Sequence, residues 1–381
     1  MLPLRNLGRF CYKAIKQPGY ALRVFLRRSQ AYIYYLLGSG KSSPPESITL
    51  FLTHRCNLRC RMCGQWGDRG VTRKMAKDEL IEELSYAEIK DFLDGVASFH
   101  PNITIFGGEP LLHPDCLKVI SYIKKNNMHC LMITNGSLIK EFAASIVDTG
   151  LDELNVSLDG KEKLHDEIRG MPGLFDKIYQ GLKEISQIKK GRNLKKPLVN
   201  LQCTINQYNY RHLTDLIEVA RDIKADSLTY HNLIFLEQGL LNEQKPYDER
   251  FCLSSKEWLG FVFKPELDPD EIYLQIKKIL SAKYDFSLDF YPNFSHKELR
   301  QYYSSDYNPK HTRCLSPWIV AYIFPDGNVR PCLNFSYTYG NIKKDRFSLI
   351  WNSPNAVQYR SWLKEIKSFP VCLRCTELYR Y

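Results

Sequence analysis

Three closely spaced cysteines constrain this chain more than any other feature of its sequence. Cys56, Cys60 and Cys63 have C-x3-C-x2-C spacing and come directly after the apolar run 48–53, which predicts a buried strand leading into a loop. Three thiolates can hold three irons of a [4Fe–4S] cluster and leave the fourth iron open. A structural zinc site needs four ligands, and no Cys or His of matching spacing follows. The spacing therefore favours an open cluster over a partial zinc site.

The composition indicates that the cysteines stay reduced. The chain has 381 residues, 12 of them cysteines, and its 44% hydrophobic content is that of ordinary globular proteins. Disulfides would suit a secreted protein, but the first residues lack the apolar segment of a secretory signal, and no uncharged run is long enough to span a bilayer. We therefore expect a cytoplasmic protein with metal-bound thiols.

The net charge of +11 is concentrated at the N-terminus. Residues 1–45 contain eight basic residues and no acidic one. Apolar residues at three- and four-residue steps predict two helices within residues 1–37, separated by a break at Pro18-Gly19. Two interpretations stay open: helices packed on the main domain with their basic faces in water, or a surface that contacts an anionic substrate or the inner face of a membrane. With the linker that follows, residues 1–47 form a separate segment.

Residues 48–232 alternate short apolar runs with amphipathic helical patterns. The predicted strands are 48–53, 102–106, 130–134, 153–158, 198–205 and 227–232. Strand–helix alternation implies parallel strands joined by right-handed crossovers. Six units are fewer than the eight of a closed barrel, so we predict an α/β fold with a partial, TIM-like (β/α)6 barrel. Its site should lie at the C-terminal ends of the strands.

Glycines and polar residues follow the second, third and fourth of these strands. The set consists of Gly107, Gly108, Glu109, Pro110, Asn135, Ser157, Asp159 and Arg169. Two glycines let a backbone approach a ligand closely, and a carboxylate beside them can hold an ammonium group. Each element alone could be an ordinary turn. Because they occur on successive strand ends, we interpret them together as a ligand site.

A second group of cysteines lies in the C-terminal part, residues 311–381. It consists of Cys314, Cys332, Cys372 and Cys375. Asp326-Gly327 between apolar runs predicts a β-hairpin between the first two. Hairpin cysteines with a later C-x2-C pair can bind zinc as well as an iron–sulfur cluster. Residues 233–310 should connect the two metal-binding parts and line a substrate site.

Together these motifs resemble the radical S-adenosylmethionine (radical SAM) superfamily. The cysteine spacing at 56–63, the Gly-Gly-Glu-Pro motif at 107–110 and Ser157-x-Asp159 carry the resemblance. Residues 311–381 resemble its SPASM or twitch extension, with Cys314, Gly327 and Cys332 in a C-x(9–15)-G-x4-C pattern and with Trp351 and Arg360 downstream.

The resemblance implies a mechanism and a set of roles. The open iron held by Cys56, Cys60 and Cys63 would bind S-adenosylmethionine, and a reductant such as flavodoxin or ferredoxin would drive its cleavage to a 5′-deoxyadenosyl radical that abstracts hydrogen from carbon. Four C-terminal cysteines, where a full SPASM domain has seven or so, imply one auxiliary [4Fe–4S] cluster used in electron transfer. The resemblance implies that Gly107 to Pro110 bind the methionyl amino group of S-adenosylmethionine. Ser157 and Asp159 would contact its ribose or its carboxylate, Arg169 would pair with its carboxylate, and Asn135 would make a further contact.

The reaction and substrate stay open. The leading hypothesis is oxidation or epimerisation of a small-molecule, sugar or lipid-linked substrate, and the alternative within the family is modification of a ribosomal peptide. An epimerase needs a thiol hydrogen donor, for which Cys203 and Cys252 are candidates, although a core role is simpler for each. An alternative from another class is a non-catalytic zinc protein that binds nucleic acid through its basic N-terminus. It leaves the glycine-rich strand ends unexplained, so we expect no nucleic-acid partner.

Overall fold

A ten-stranded sheet organises the protein, a computed structural model that describes residues 14–15, 17–309 and 313–380. The strands are β1 (Ser47–Phe51), β2 (Asn102–Phe106), β3 (Cys130–Thr134), β4 (Glu153–Ser157), β5 (Leu198–Ile205), β6 (Ser227–Asn232), β7 (Ser287–Tyr291), β8 (Val320–Ile323), β9 (Asn328–Arg330) and β10 (Gly340–Asn341). They pair in the order β10-β9-β8-β1-β2-β3-β4-β5-β6-β7.

The six predicted strands all form, and they are neighbours in chain order. Every pair from β1 to β6 is parallel, and four of the six strands have the predicted bounds. Apolar side chains alternate between the helices outside and the barrel interior, which is why these runs are almost continuously hydrophobic. The predicted α/β class is therefore confirmed.

Two further parallel strands extend the sheet beyond the six predicted. β7 comes from the 233–310 connector and pairs with β6. β8 comes from the C-terminal part and pairs in parallel with β1, while its other edge forms the predicted hairpin with β9. Gly327 supplies the left-handed residue of that turn, at φ 86°. The auxiliary cysteines are therefore attached to the same sheet as the cysteine loop.

Helices cover the outer face of the sheet and connect its strands. They are α1 (Pro18–Leu37), α2 (Lys77–Ile81), α3 (Tyr86–Val96), α4 (Cys116–Lys125), α5 (Ile139–Asp148), α6 (Glu162–Arg169), α7 (Leu174–Gly191), α8 (Asp215–Asp222), α9 (Gln238–Phe251), α10 (Pro269–Leu280), α11 (His296–Tyr302), α12 (Ser316–Ile319), α13 (Phe347–Trp351) and α14 (Pro354–Ile366). Buried residues such as Ile89 and Leu93 of α3 face the strands.

Helix α1 lies across the starts of the parallel strands, at the end of the barrel opposite the predicted site. Gln17, just before it, donates to Glu153 at the start of β4, and the Tyr20 ring lies 4.3 Å from that of His129, just before β3. The predicted earlier helix of residues 1–16 falls almost wholly outside the described residues. No helix in the described part of the chain is long and apolar enough to cross a membrane.

Candidate active site

The three-cysteine loop projects its thiols to one region at the end of β1. Cys60 is buried, and Cys56 and Cys63 are half-buried. Backbone N–H groups point at two of the sulfurs: Leu58 N lies 3.5 Å from Cys56 Sγ and Trp66 N lies 3.3 Å from Cys63 Sγ. Burial raises the pKa of Cys60 to about 11, and nearby Arg169 opposes that rise. Such buried thiols ionise on binding cations, so the donor set fits an iron–sulfur cluster held by three cysteines.

The two glycines after β2 fit tightly against the start of this loop. A Cβ on Gly107 would lie 2.7 Å from the carbonyl oxygen of Thr53, and one on Gly108 would lie 2.2 Å from that of Arg55. Gly108 and Glu109 donate their backbone N–H groups to the same two carbonyls, each at 2.8 Å. Side chains at either glycine would separate the strands here, so the motif fixes the position of the cysteine loop.

Glu109 is fully buried and turns toward the end of β3. Its carboxylate accepts hydrogen bonds from the Thr134 hydroxyl at 2.8 Å and from the backbone N–H of Asn135 at 2.7 Å and Leu111 at 3.2 Å. Burial raises the pKa of Glu109 to about 7, although these bonds oppose the rise. Both carboxylate oxygens are thus engaged within the chain. The Asn135 side chain reaches the loop directly, with Nδ2 2.9 Å from Asn57 Oδ1 and 3.7 Å from Cys56 Sγ.

Asp159 and Arg169 form a buried ion pair beside the cysteine loop. The distance from Arg169 Nε to Asp159 Oδ2 is 2.6 Å, and Asp159 Oδ1 accepts from the backbone N–H of Thr204. Arg169 Nη1 lies 3.8 Å from Cys60 Sγ. Ser157 is half-buried at the end of β4. Asp159 and Arg169 thus lie beside the loop, and Asp159 orients Arg169 toward Cys60.

Replacing Asp159 with asparagine should destabilise the protein by about 2 kcal/mol, because a buried charged hydrogen bond to Arg169 is weakened. Since Arg169 would then be less constrained near Cys60, we also expect less cluster per chain after reconstitution. The midpoint of urea unfolding and the iron content measure the two effects. Asp222→Asn is the matched control. Asp222 pairs with Lys183, both side chains are substantially exposed, and such surface pairs contribute little to the free energy of unfolding. Equal midpoints for the two variants would contradict the prediction.

A small polar cavity of about 250 Å³ opens beside Cys63. Met62 from the cysteine loop lines one side, and residues 206–208, which follow β5, line another. The Arg61 guanidinium lies 4.8 Å from the centre of the Tyr208 ring. Sequence reasoning missed residues 206–208, although their position after a predicted strand was a usable signal.

The four C-terminal cysteines line one large cavity. Burial, followed by the charges of neighbouring cysteines, raises the pKa of Cys314 and Cys372, and burial also raises that of Cys332 and Cys375. Among the described residues, no three Cys, His, Asp or Glu side chains are arranged to hold one metal ion. Four half-buried thiols that influence one another electrostatically are nevertheless a donor set that fits a fully protein-ligated cluster.

The large cavity has a volume of about 660 Å³ and extends from the cysteine loop to the C-terminal cysteines. Gly64 and Gln65, immediately after Cys63, line one end. Aromatic side chains form much of its wall: Phe51, Phe106, Trp258, Phe261, Tyr322, Phe324, Phe335 and Phe369. Three buried polar atoms of lining residues have no hydrogen-bond partner among the described residues, namely His54 Nδ1, Glu257 Oε2 and Trp258 Nε1.

The connector residues of this wall are held in place by a close backbone contact. A Cβ on Gly260 would lie 1.9 Å from the carbonyl oxygen of Gly64. The 3-10 segment Lys256–Phe261 therefore packs directly against the end of the cysteine loop. Within residues 233–310, which the sequence predicts to line a substrate site, this segment and Ile234 line the large cavity.

The two proposed hydrogen-donor thiols do not lie at either cavity. Cys203 is fully buried in β5, with its Sγ 3.6 Å from Asn209 Nδ2, and it belongs to the apolar core. Cys252 is exposed at the C-terminal end of α9. Neither residue is among those that line the large cavity or the cavity beside Cys63, and their role as hydrogen donors stays a prediction.

The parallel barrel, the cysteine loop and the C-terminal cysteines define an S-adenosylmethionine-dependent iron–sulfur enzyme. Residues 50–220 match the model of the Radical SAM superfamily, and residues 314–376 match that of the SPASM iron–sulfur cluster-binding domain. The chain belongs to the radical SAM superfamily and carries a C-terminal SPASM domain. This identification removes the zinc-protein alternative.

Relatives and solved structures agree with this assignment. The chain is 31% identical over 243 residues to Fe-coproporphyrin III synthase of Methanosarcina barkeri, a match that covers 62% of this chain and 56% of that protein. It is 26% identical over 315 residues to AdoMet-dependent heme synthase of the same organism, covering 82% and 83%. SuiB of Streptococcus suis, solved with S-adenosylmethionine, has the same fold at a TM-score of 0.60 and 16% identity, covering 87% of this chain and 71% of SuiB.

Proposed function

We propose that this enzyme oxidises a C–H position of a substrate held in the large cavity. The observation that carries the proposal is that one cavity touches both the segment after Cys63 and all four C-terminal cysteines. When bound, S-adenosylmethionine and the first cluster supply a 5′-deoxyadenosyl radical, and the C-terminal cluster supplies an acceptor for one electron. A substrate between the two cysteine groups is within reach of both kinds of chemistry.

The cavity wall favours a small or lipid-linked molecule with a large apolar part. Aromatic side chains exclude water from the reacting carbon, which limits side reactions of a radical. Burial lowers the pKa of His54 to about 4, so this lining residue is neutral at pH 7 and offers a hydrogen bond without charge. The names of the two Methanosarcina relatives, which refer to coproporphyrin and heme, support a small molecule.

Glu257 is the residue we propose to remove the proton. Its Oε1 is engaged by the Ser336 hydroxyl and by Arg330 at 3.4 Å, whereas Oε2 is buried and has no hydrogen-bond partner among the described residues. Burial is the main cause of the raised pKa of Cys332, and the charge of Glu257 contributes to the same rise. Glu257 therefore lies near the C-terminal cysteines. An alcohol or amine carbon that loses a hydrogen atom and then an electron becomes a carbonyl or imine and releases one proton. Glu257 Oε2 is placed to accept that proton.

A ribosomal peptide is the second candidate substrate. SuiB, whose fold this chain shares, has also been solved with its precursor peptide SuiA. That structure matches this chain at a TM-score of 0.60 and 15% identity. The cavity volume of about 660 Å³ would admit a peptide segment of a few side chains.

Deuterium transfer distinguishes these substrates. We expect reconstituted, reduced enzyme to produce deuterated 5′-deoxyadenosine when it is given the small-molecule or lipid fraction of a deuterated cell extract, because the abstracted atom comes from substrate carbon. Mass spectrometry of 5′-deoxyadenosine reads the result. Glu257→Gln should keep this transfer and lose the oxidised product. Transfer from the peptide fraction alone would instead support the second candidate.

A further inference from the structure

Helix α1 exposes an apolar stripe on its outward side. The stripe consists of Leu22, Leu26, Ile33, Leu36 and Leu37, which are between 50% and 84% exposed. Their spacing places them on one side of the helix. The opposite side is also apolar and is buried against the barrel through Ala21, Val24, Ala31 and Tyr35. A surface helix ordinarily turns its polar side outward, so this exposed stripe needs a partner.

The contacts of α1 fix the direction in which the stripe faces. Arg28 Nε lies 2.6 Å from Glu46 Oε2, and the ring of Tyr35 packs edge-on against Trp318 at 5.0 Å. Lys364 Nζ donates to the Leu36 carbonyl at 3.0 Å. Because the helix is held at both ends, rotation cannot bury the stripe, and it remains available to a partner.

Charge indicates what the partner is. The stripe lies within residues 1–45, which contain eight basic residues and no acidic one. Arg23, one residue from Leu22, is exposed. A second copy of this chain would bring the same basic segment against this one, which is unfavourable. A bilayer with anionic headgroups satisfies both the apolar side chains and the basic residues.

We propose that α1 binds in the plane of an anionic membrane surface. Its stripe would enter the boundary between headgroups and acyl chains while the exposed Arg23 contacts lipid phosphates. Since α1 covers the starts of the strands, the cysteine loop after β1 lies at the end of the barrel that would face away from the bilayer. The inference does not depend on the substrate proposed above.

Vesicle sedimentation of the full chain tests this proposal. We expect the protein to sediment with phosphatidylcholine vesicles that contain about 30% phosphatidylglycerol, to bind far less to phosphatidylcholine alone, and to dissociate as salt is raised to about 0.5 M. A triple variant, Leu22→Gln, Leu26→Gln and Ile33→Gln, should bind at least about tenfold more weakly, because less apolar area enters the membrane.

The controls separate membrane binding from folding and from self-association. Leu274→Gln and Leu349→Gln change leucines elsewhere that are also more than half exposed, and they should leave binding unchanged. Thermal unfolding should be the same for all variants, because each changed side chain is exposed. Equal binding to both vesicle types, or undiminished binding by the triple variant, would overturn the proposal. So would a wild-type dimer that the triple variant converts to a monomer, because the stripe would then join two copies.

Discussion

Replacing Cys60 with alanine should abolish formation of 5′-deoxyadenosine from S-adenosylmethionine. Cys60 is the most buried of the three loop cysteines, and its sulfur lies beside Arg169. Two remaining thiolates cannot hold three irons of an open cluster, so iron should fall from about eight to about four atoms per chain. Iron and sulfide analysis after anaerobic reconstitution, followed by chromatography of the dithionite-reduced reaction, measures both effects.

Two further cysteine variants show whether this loss is specific. Cys252→Ala removes an exposed thiol that lines neither the large cavity nor the cavity beside Cys63, and it should leave iron content and 5′-deoxyadenosine unchanged. Cys332→Ala should also lose about four irons but should still cleave S-adenosylmethionine, because the loop cysteines remain. Cleavage by the Cys60 variant would contradict the ligand assignment. Zinc in the C-terminal site of the wild type would rule out its role in electron transfer.

The parts of the fold that follow from local patterns were predictable from sequence. The six central strands are apolar runs separated by helical patterns, and each contacts its neighbours in chain order. β7 and β8 were not predicted as members of the parallel sheet. β7 is short and mixes polar with apolar residues, and only its long-range pairing with β6 identifies it as a strand. β8 was recognisable as a hairpin arm, but its second edge pairs with β1, far away in sequence.

The candidate site likewise combines residues that local motifs identify with residues that only the complete fold brings together. The cysteine loop and the glycines at 107 and 108 could be identified because they are short, contiguous motifs. The sequence also predicted that Asp159 and Arg169 belong to the site, but it did not indicate that they pair with each other. Glu257 has no motif around it. It reaches the cavity because the backbones of Gly64 and Gly260 touch, a contact that depends on the complete fold.

Replacing Arg360 with methionine should destabilise the protein by about 3–5 kcal/mol, although methionine nearly preserves the volume. Arg360 is fully buried, and its guanidinium donates to the carbonyls of Pro317 at 2.7 Å, Trp351 at 2.9 Å and Gly40 at 3.3 Å. Burial lowers its pKa to about 10, so it stays charged at pH 7. The guanidinium also stacks on the Trp351 ring at 4.1 Å. Methionine would leave these buried carbonyls without donors.

Arg360 joins the linker after α1, the start of α12 and the end of α13, so its loss should affect the C-terminal cysteines as well as stability. We expect a lower urea midpoint and less iron at the SPASM site, with 5′-deoxyadenosine formation retained by whatever protein remains folded. Arg250→Ala is the matched control, because Arg250 pairs with Glu365 where both side chains are more than half exposed, and such a pair contributes about 0–1 kcal/mol. If Arg360→Met were no more harmful than Arg250→Ala, the buried guanidinium would be dispensable for joining the linker after α1 to α12 and α13.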